Sequence, residues 1–412
     1  MSRMIWFEWK RIWKSRLTQL AVAGSIVFFI FCTWSNIRLI QETTADGDVV
    51  TGLEAVEVRK EQLKKVTLDQ EKVDTLMEEY LDYTQDPDTS SDNRDFYYLS
   101  EEAYLKWYLP NDYLLRPIEG AYMGEDQPDA SMKEIFEQNL GTDFYEAGSE
   151  RIGENLTRYV RSGYLTEAEA DWWNDKSGEP AEYTGGYSKA WEDLLNSISW
   201  ILLVMMVVCI GIAPMFAGEY QTKCDSLLLS MRYGKSRLIL AKLAAAMLFA
   251  TAVYWGITLL YSGLHLLVLG VEGWDLPVQT LYRDVTIPYH LSALGAYALA
   301  LAMGYIMTLG LAGLVLFVSS LLKNPYGVII TAFLYLCVPV FLTLGRGGYA
   351  WKHFLGLLPE KISEFGFDSY MVYSAGPLTV TWPVAAMAVN GACAVILSIA
   401  VYLIFRRHQV NR

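Results

Sequence analysis

Histidine and cysteine are scarce in this chain, with 4 and 5 copies among 412 residues. The histidines (His265, His290, His353, His408) are scattered, and no CxxC or HExxH pair exists. Neither zinc chemistry nor a metal-assisted hydrolysis has the ligand spacing it needs. The cysteines (Cys32, Cys209, Cys224, Cys337, Cys393) all lie outside the long polar stretch 41–195, so that stretch cannot fold on disulfides. His265 sits inside an apolar run, where a polar group held by a neighbouring helix is a plainer reading than a ligand or gate. A GxSxG elbow and an intramembrane Ser/His or Asp/Asp pair are missing too. Gly234-Lys235-Ser236 imitates the end of a phosphate-binding loop, but Leu229 stands where that loop requires its first glycine, and no strand precedes it. The chain is therefore not expected to be an enzyme by itself, and no catalytic, cofactor or metal residue is assigned.

Acidic residues are equally absent from the apolar runs. A helix crossing a ~30 Å hydrocarbon core takes about 20 apolar residues. Six runs qualify: Leu17–Trp34, Ile198–Ala217, Leu243–Leu269, Leu291–Leu322, Val328–Leu344 and Val384–Phe405. With flanks they give spans at 17–40, 196–217, 238–270, 291–322, 326–345 and 382–405. Residues 41–195 hold 37 acids and 14 bases, a net of −23, whereas the rest nets +10 within a total of −13. All nine remaining acids, such as Glu8, Glu219 and Glu360, fall between the runs. Proton- or sodium-coupled carriers generally need a buried carboxylate, so energy for transport would come from a separate motor.

Lys and Arg set the orientation. Arg3, Lys10, Arg11, Lys14 and Arg16 precede the first span; Lys223, Arg232, Lys235, Arg237 and Lys242 lie between the second and third; Arg406, Arg407 and Arg412 follow the last. The positive-inside tendency makes both termini cytoplasmic and 41–195 extracellular, in a multi-pass protein of the cell membrane. No small-residue cleavage site follows the first run, which reads as a retained anchor.

Residues 1–16 place Ile5, Trp6, Trp9, Ile12 and Trp13 at helical spacing, with Arg3, Lys10 and Lys14 on another side. This predicts an amphipathic helix with Trp6, Trp9 and Trp13 at the membrane interface and bases toward anionic lipid. The 41–195 block reads as a folded helical domain: a long helix over Val50–Tyr83, a loop to Asp95, then a helix from Phe96 to Leu109 stopped by Pro110. Thr166 and Glu169 form a capping-box pair before Trp172 and Trp173. A last helix from about Tyr187 runs into the second span. Asn155-Leu156-Thr157 is a chance match to a glycosylation acceptor. Between the fifth and sixth spans, 346–381 is expected to carry short helices lying on the outer membrane surface. The fold class is thus an all-α polytopic membrane protein with an inserted helical domain.

The stretch 218–237 does more than connect. Glu219, Thr222 and Asp225–Ser226 can share one face of a short helix, and Leu227–Leu229 form an apolar patch on a cytoplasmic element, where a partner protein can bury it. Ser236 is placed to cap the next helix, with Arg237 and Lys242 anchoring it at the interface.

The order Glu-x-x-Thr-x-x-x-Ser-Leu-Leu-Leu-Ser, then Tyr-Gly-Lys-Ser-Arg, then Ala241-Lys242-Leu243, resembles the coupling region of type-2 ABC exporter permeases. The interfacial N-terminal helix, six spans, cytoplasmic termini and short external helices resemble the same family, as does the large domain between the first two spans. Gln221 departs from it, standing where glycine is usual. The resemblance implies a second permease copy or paralogue and two cytoplasmic ABC ATPase subunits, which bind ATP and Mg; this chain would hold no cofactor. It implies that Glu219, Thr222, Ser226, Leu227, Leu228 and Arg237 couple to the ATPase. Membrane lipid is a further partner, and no nucleic acid is expected. The acidic outer domain tilts the cargo toward a cationic peptide or antibiotic. A membrane-anchored sensor or assembly protein without transport is the alternative reading, and a secondary transporter the third.

Overall fold

The computed structural model describes residues 1–92, 97–124, 129–177, 182–223, 234, 236–343, 348–376 and 378–407. The chain is mostly helical, with little sheet. Among the described residues, five helices are long and apolar enough to cross a membrane: Arg16–Arg38, Ile198–Gln221, Arg237–Leu269, Ala293–Leu321 and Trp382–Arg406. A sixth apolar helix, Pro325–Phe341, is shorter. Leu20, Val27 and Phe31 on the first helix, Leu248, Leu259 and Leu267 on the third, and Val395, Ile396 and Ile399 on the last are each more than half exposed. Such apolar belts have no place in water, and lipid is the solvent that covers them.

The helices pack through small residues. A Cβ on Gly310 would stand 2.8 Å from the Asn390 carbonyl, and one on Gly313 would stand 3.1 Å from Ala394 Cα, so Ala293–Leu321 and Trp382–Arg407 meet backbone to backbone. A Cβ on Gly211 would collide with the Phe249 ring. His265 is fully buried; its Nδ1 lies 3.1 Å from the Tyr261 carbonyl and 3.5 Å from Thr33 Oγ1 on the first long helix.

The segment after the Pro325–Phe341 helix differs from expectation. Tyr349–Gly356 is a short helix and Val372–Ala375 pairs with Leu378–Thr381 as a hairpin, but the Pro359–Glu364 turn is not a surface element. Ile362 is fully buried and reaches Gly304, eleven residues or about 16 Å into the Ala293–Leu321 helix. Lys361, also fully buried, is satisfied there by the Pro339 carbonyl at 2.7 Å, by Glu360 at 3.1 Å and by Glu364. Charges can sit that deep only because each is paired.

The described residues of the 41–196 block form helices and two short strand pairs, and they correct two readings. The expected long helix over 50–83 is broken into Leu53–Gln62 and Gln70–Gln85. Val66–Thr67 pairs with Thr184–Gly185 in the gap, and Asp69 caps the second piece through the Lys72 amide at 2.8 Å. Pro110 does not stop the next helix. A π turn at Tyr104–Tyr108 leads directly into Leu109–Tyr122, and the wider turn accommodates the proline in the helix's first turn. The Thr166–Glu169 capping box is present, with Thr166 N donating to Glu169 Oε2 at 2.9 Å and Glu169 N to Thr166 Oγ1 at 3.3 Å. Lys189–Asn196 approaches the second long helix as foreseen, but a 3₁₀ turn at Ile198–Trp200 intervenes. Asn155 is buried and bonded to Thr286 and Arg158, in keeping with a chance acceptor motif.

This block is not a loosely tethered domain. Its first half has its own core around Tyr80, Leu115, Phe136 and Tyr183. Its second half shares a core with the long helices: Trp173 Nε1 donates to the Tyr370 carbonyl at 2.7 Å, and Tyr187 donates to the Leu269 carbonyl at 2.7 Å.

Candidate functional site: a charge cluster at the foot of the bundle

The N-terminal helix Ser2–Trp13 meets the Pro214–Gln221 helix and the start of Arg237–Leu269 at the end of the bundle away from the 41–196 block. The second long helix arrives there kinked. Pro214 lacks the N–H that would bond to the Ile210 carbonyl. Ser319 from the fourth long helix inserts at the kink: its Oγ donates to the Ala213 carbonyl at 2.7 Å and accepts from the amides of Phe216 and Ala217 at 3.2 and 3.1 Å. The last turns, Pro214–Gln221, bring Glu219 inward, where it is 3% exposed.

Glu219 Oε1 accepts from Lys242 Nζ on the third long helix, and from Arg11 Nη1 on the N-terminal helix at 3.0 Å. Lys242 Nζ also donates to the Met215 carbonyl at 2.9 Å and lies 3.8 Å from Glu8 Oε2. Arg11 Nη1 is 3.3 Å from that same Glu8 oxygen. Two acids and two bases thus close a ring across three helices. Glu8, Glu219 and Lys242 are buried, and only Arg11 reaches solvent. Among the described residues Glu219 Oε2 is buried with no hydrogen-bond partner, and the pairing of that carboxylate there runs through one oxygen. Removing such charges from water costs several kcal/mol per ion, and only mutual pairing offsets it. Departure of the N-terminal helix would take Arg11 from Glu219 and Glu8 from Lys242, leaving the two with each other and the Met215 carbonyl.

The predicted aromatic residues flank the cluster. Trp13 packs edge-on against Phe249 at 5.1 Å, Trp9 lies 5.8 Å from Trp13, and Trp6 stacks on Trp9 at 5.0 Å while half exposed. The helix is as foreseen, but its inward face carries Glu8 beside Ile12 and is not purely apolar.

Of the six residues marked for coupling, three are among the described residues, and of these Glu219 joins the cluster while Thr222 and Arg237 do not. Thr222 and Arg237 are exposed at the two ends of the connecting stretch, and the Thr222 hydroxyl donates back to the Gly218 carbonyl at 2.9 Å. Ser226, Leu227 and Leu228 lie outside the described residues. Glu219 is buried while Thr222, at the C-terminal cap of the same helix with its amide still bonded to the Gly218 carbonyl at 3.2 Å, is exposed. Ser236 makes no capping bond. Lys242 is not an interfacial anchor: it lies more than a turn inside a helix that starts at Arg237, facing the bundle.

Sequence reasoning missed Glu8, Arg11 and Lys242 as one group. Two signals were available: a lysine with Leu238–Ala241 before it and Leu243–Ala246 after it, and a Glu8/Arg11 pair three apart on an otherwise aromatic helix. Among the described residues no cluster of His, Cys, Asp and Glu is arranged to hold a metal ion. Compared with known proteins, the chain matches no family model, no curated protein and no solved structure.

Proposed function

We propose that this chain is the transmembrane permease subunit of an ATP-driven exporter of the type-2 ABC class, worked by a separate cytoplasmic ATPase. The observation that carries the reading is the charge ring. The helices on either side of the 218–237 stretch are tied, through Glu219 and Lys242, to each other and to the N-terminal helix. A push on that stretch moves three helices as one body, which is what coupling to a motor requires. The apolar patch Leu227–Leu229 in the same stretch is the surface the motor would grip.

In this reading the chain spans the membrane six times. Pro325–Phe341 is the fifth span: 13 residues of α-helix and 4 of 3₁₀ give about 27 Å. Both termini and the charge ring face the cytoplasm, and 41–195 lies outside the cell. A second permease copy or paralogue completes the channel, and ATP and Mg bind the partner ATPase. The outer block, net −23, favours a cationic peptide or antibiotic as cargo.

Co-purification from native membranes tests this. A Leu227→Glu/Leu228→Glu double variant should insert normally yet lose the bound ATPase and its stimulated hydrolysis. Undiminished ATPase capture by the double variant, or labelling of 218–237 from outside the cell, would overturn the reading. A chain that purifies with no ATPase but still binds ligand through its outer block would be a sensor.

A further inference from the structure

Where the 41–196 block meets the loops of the bundle there is a cavity of about 390 Å³. Its walls come from the end of the Leu109–Tyr122 helix, one face of Phe144–Arg161, the loop 283–287, and residues 368–370. Three arginines line it, Arg151, Arg158 and Arg283, although the block that supplies two of them has 37 acids against 14 bases. We propose that this cavity binds a phosphodiester, either the headgroup of a glycerophospholipid or a free glycerophosphodiester.

The guanidiniums are held in place by partners. Arg151 pairs with Glu154 at 2.9 Å, Arg158 donates to Asn155 Oδ1 at 2.6 Å, and Arg283 donates to Asp112 Oδ2 at 2.5 Å. A guanidinium has five N–H donors in a rigid fork, so a partner that fixes it does not exhaust it, and such a fork suits two oxygens of one phosphoryl group. The walls are also fixed: buried Asn155 donates to Thr286 Oγ1 at 3.4 Å, and Tyr370 donates to the Thr286 carbonyl at 2.5 Å.

Charge selects the ligand further. Asp284 and Asp368 also line the cavity. Asp284 is committed to its own loop, accepting from the Thr286 amide and hydroxyl at 2.8 Å each. Glu154 and Asp112 neutralise two of the three guanidiniums, so recognition rests on directed N–H donors and not on net charge, which suits a singly charged diester better than a doubly charged phosphate monoester. The size suits a headgroup, at the low end of small-ligand pockets.

The backbone supplies an independent observation. Arg283 has φ 52° and ψ 37°, a left-handed conformation that glycine adopts without strain and arginine does not. Strain of this kind is retained where a side chain is needed at that point.

The site stands apart from the transport reading, since its test needs no ATPase. The full chain in a maltoside detergent, free of phosphate, is titrated with glycerophosphoglycerol by calorimetry and with phosphatidylglycerol by native mass spectrometry. Binding of the soluble compound assigns a free ligand, binding of the lipid alone assigns a headgroup, and binding of neither overturns the site. Arg283→Gly removes the guanidinium and relieves the backbone, so affinity should fall about tenfold with no drop in melting temperature beyond that of Asp112→Asn. Asp112→Asn breaks the same ion pair but keeps the guanidinium, and should bind at least as well as the parent chain. Unchanged affinity in both Arg283→Gly and an Arg151→Gln/Arg158→Gln double variant would also overturn it.

Discussion

Lys242 and Glu219 lie on adjacent helices, 23 residues apart in the chain, and their side chains meet where one is 0% and the other 3% exposed. A pair so enclosed adds little net stability, but breaking it from one side strands a charge. Lys242→Met should therefore cost about 3–5 kcal/mol, since it leaves buried Glu219 with the partly exposed Arg11 of the N-terminal helix as its remaining cation, and should loosen that helix. Adding Glu219→Leu should recover most of that loss, because Glu8 and Arg11 then satisfy each other. Denaturation in detergent reads the energies, and limited proteolysis within the first 15 residues reads the helix. If Lys242→Met alone is tolerated, the ring is not a lock.

A second relationship concerns the outer block. Pro117 has no N–H for the Tyr113 carbonyl, and the Tyr183 hydroxyl donates to that carbonyl instead, at 3.1 Å. Tyr183→Phe should cost about 1–2 kcal/mol in the parent chain. In a Pro117→Ala background the backbone amide returns, and the same substitution should cost much less. The two changes must then be non-additive, as a double-mutant cycle by urea unfolding will reveal. Additive costs would mean that the hydroxyl contributes nothing to that carbonyl.

The glycines between the fourth and last long helices offer a sharper contrast. Gly310→Val pushes carbon onto the Asn390 carbonyl and should cost about 1–3 kcal/mol through separation of the two helices. Gly391→Ala meets only Ile306 Cγ2 at 3.6 Å, an ordinary contact, and should leave the melting temperature almost unchanged. Equal effects would show that the close approach is not what holds this pair.

What the sequence made legible was whatever depends on composition along one helix. The long apolar helices, the N-terminal tryptophan helix and the Thr166–Glu169 cap follow from local spacing, and their ends fall within a few residues of expectation. What it hid depends on which segment lies opposite. Pro110 reads as a stop until a π turn takes it up. Val66–Thr67 reads as helix until Thr184–Gly185, more than a hundred residues on, supplies a strand. The same limit applied to the candidate site. Glu219 was marked by motif, but Lys242 was read as an interfacial base and Glu8 only as an acid outside the apolar runs, because their pairing is a fact of helix packing. Pro359–Glu364 was placed on a surface for the same reason: nothing local distinguishes a turn that lies on a bundle from one inserted into it.

Lys352 on the Tyr349–Gly356 helix provides a test by pH. It is 3% exposed, donates to the Tyr164 carbonyl and lies 3.3 Å from the centre of the Tyr164 ring. Burial pulls its ammonium down from 10.5 to about 8, with the nearby Glu169 carboxylate opposing the shift. Below pH 8 the lysine is charged both folded and unfolded, and the folded form bears the full cost of desolvation. Between pH 8 and 10.5 the folded form has shed the proton while the unfolded form retains it, so the unfolded state binds more protons and stability rises with pH. Above 10.5 both are neutral and the effect is complete. Hydrogen exchange of residues 349–356 should accordingly slow, relative to its intrinsic rate, as pH is raised through that window. Lys352→Met should flatten the dependence without unfolding the helix, since methionine fills the same space against Tyr164. A slope that persists in the variant would place the titrating group elsewhere.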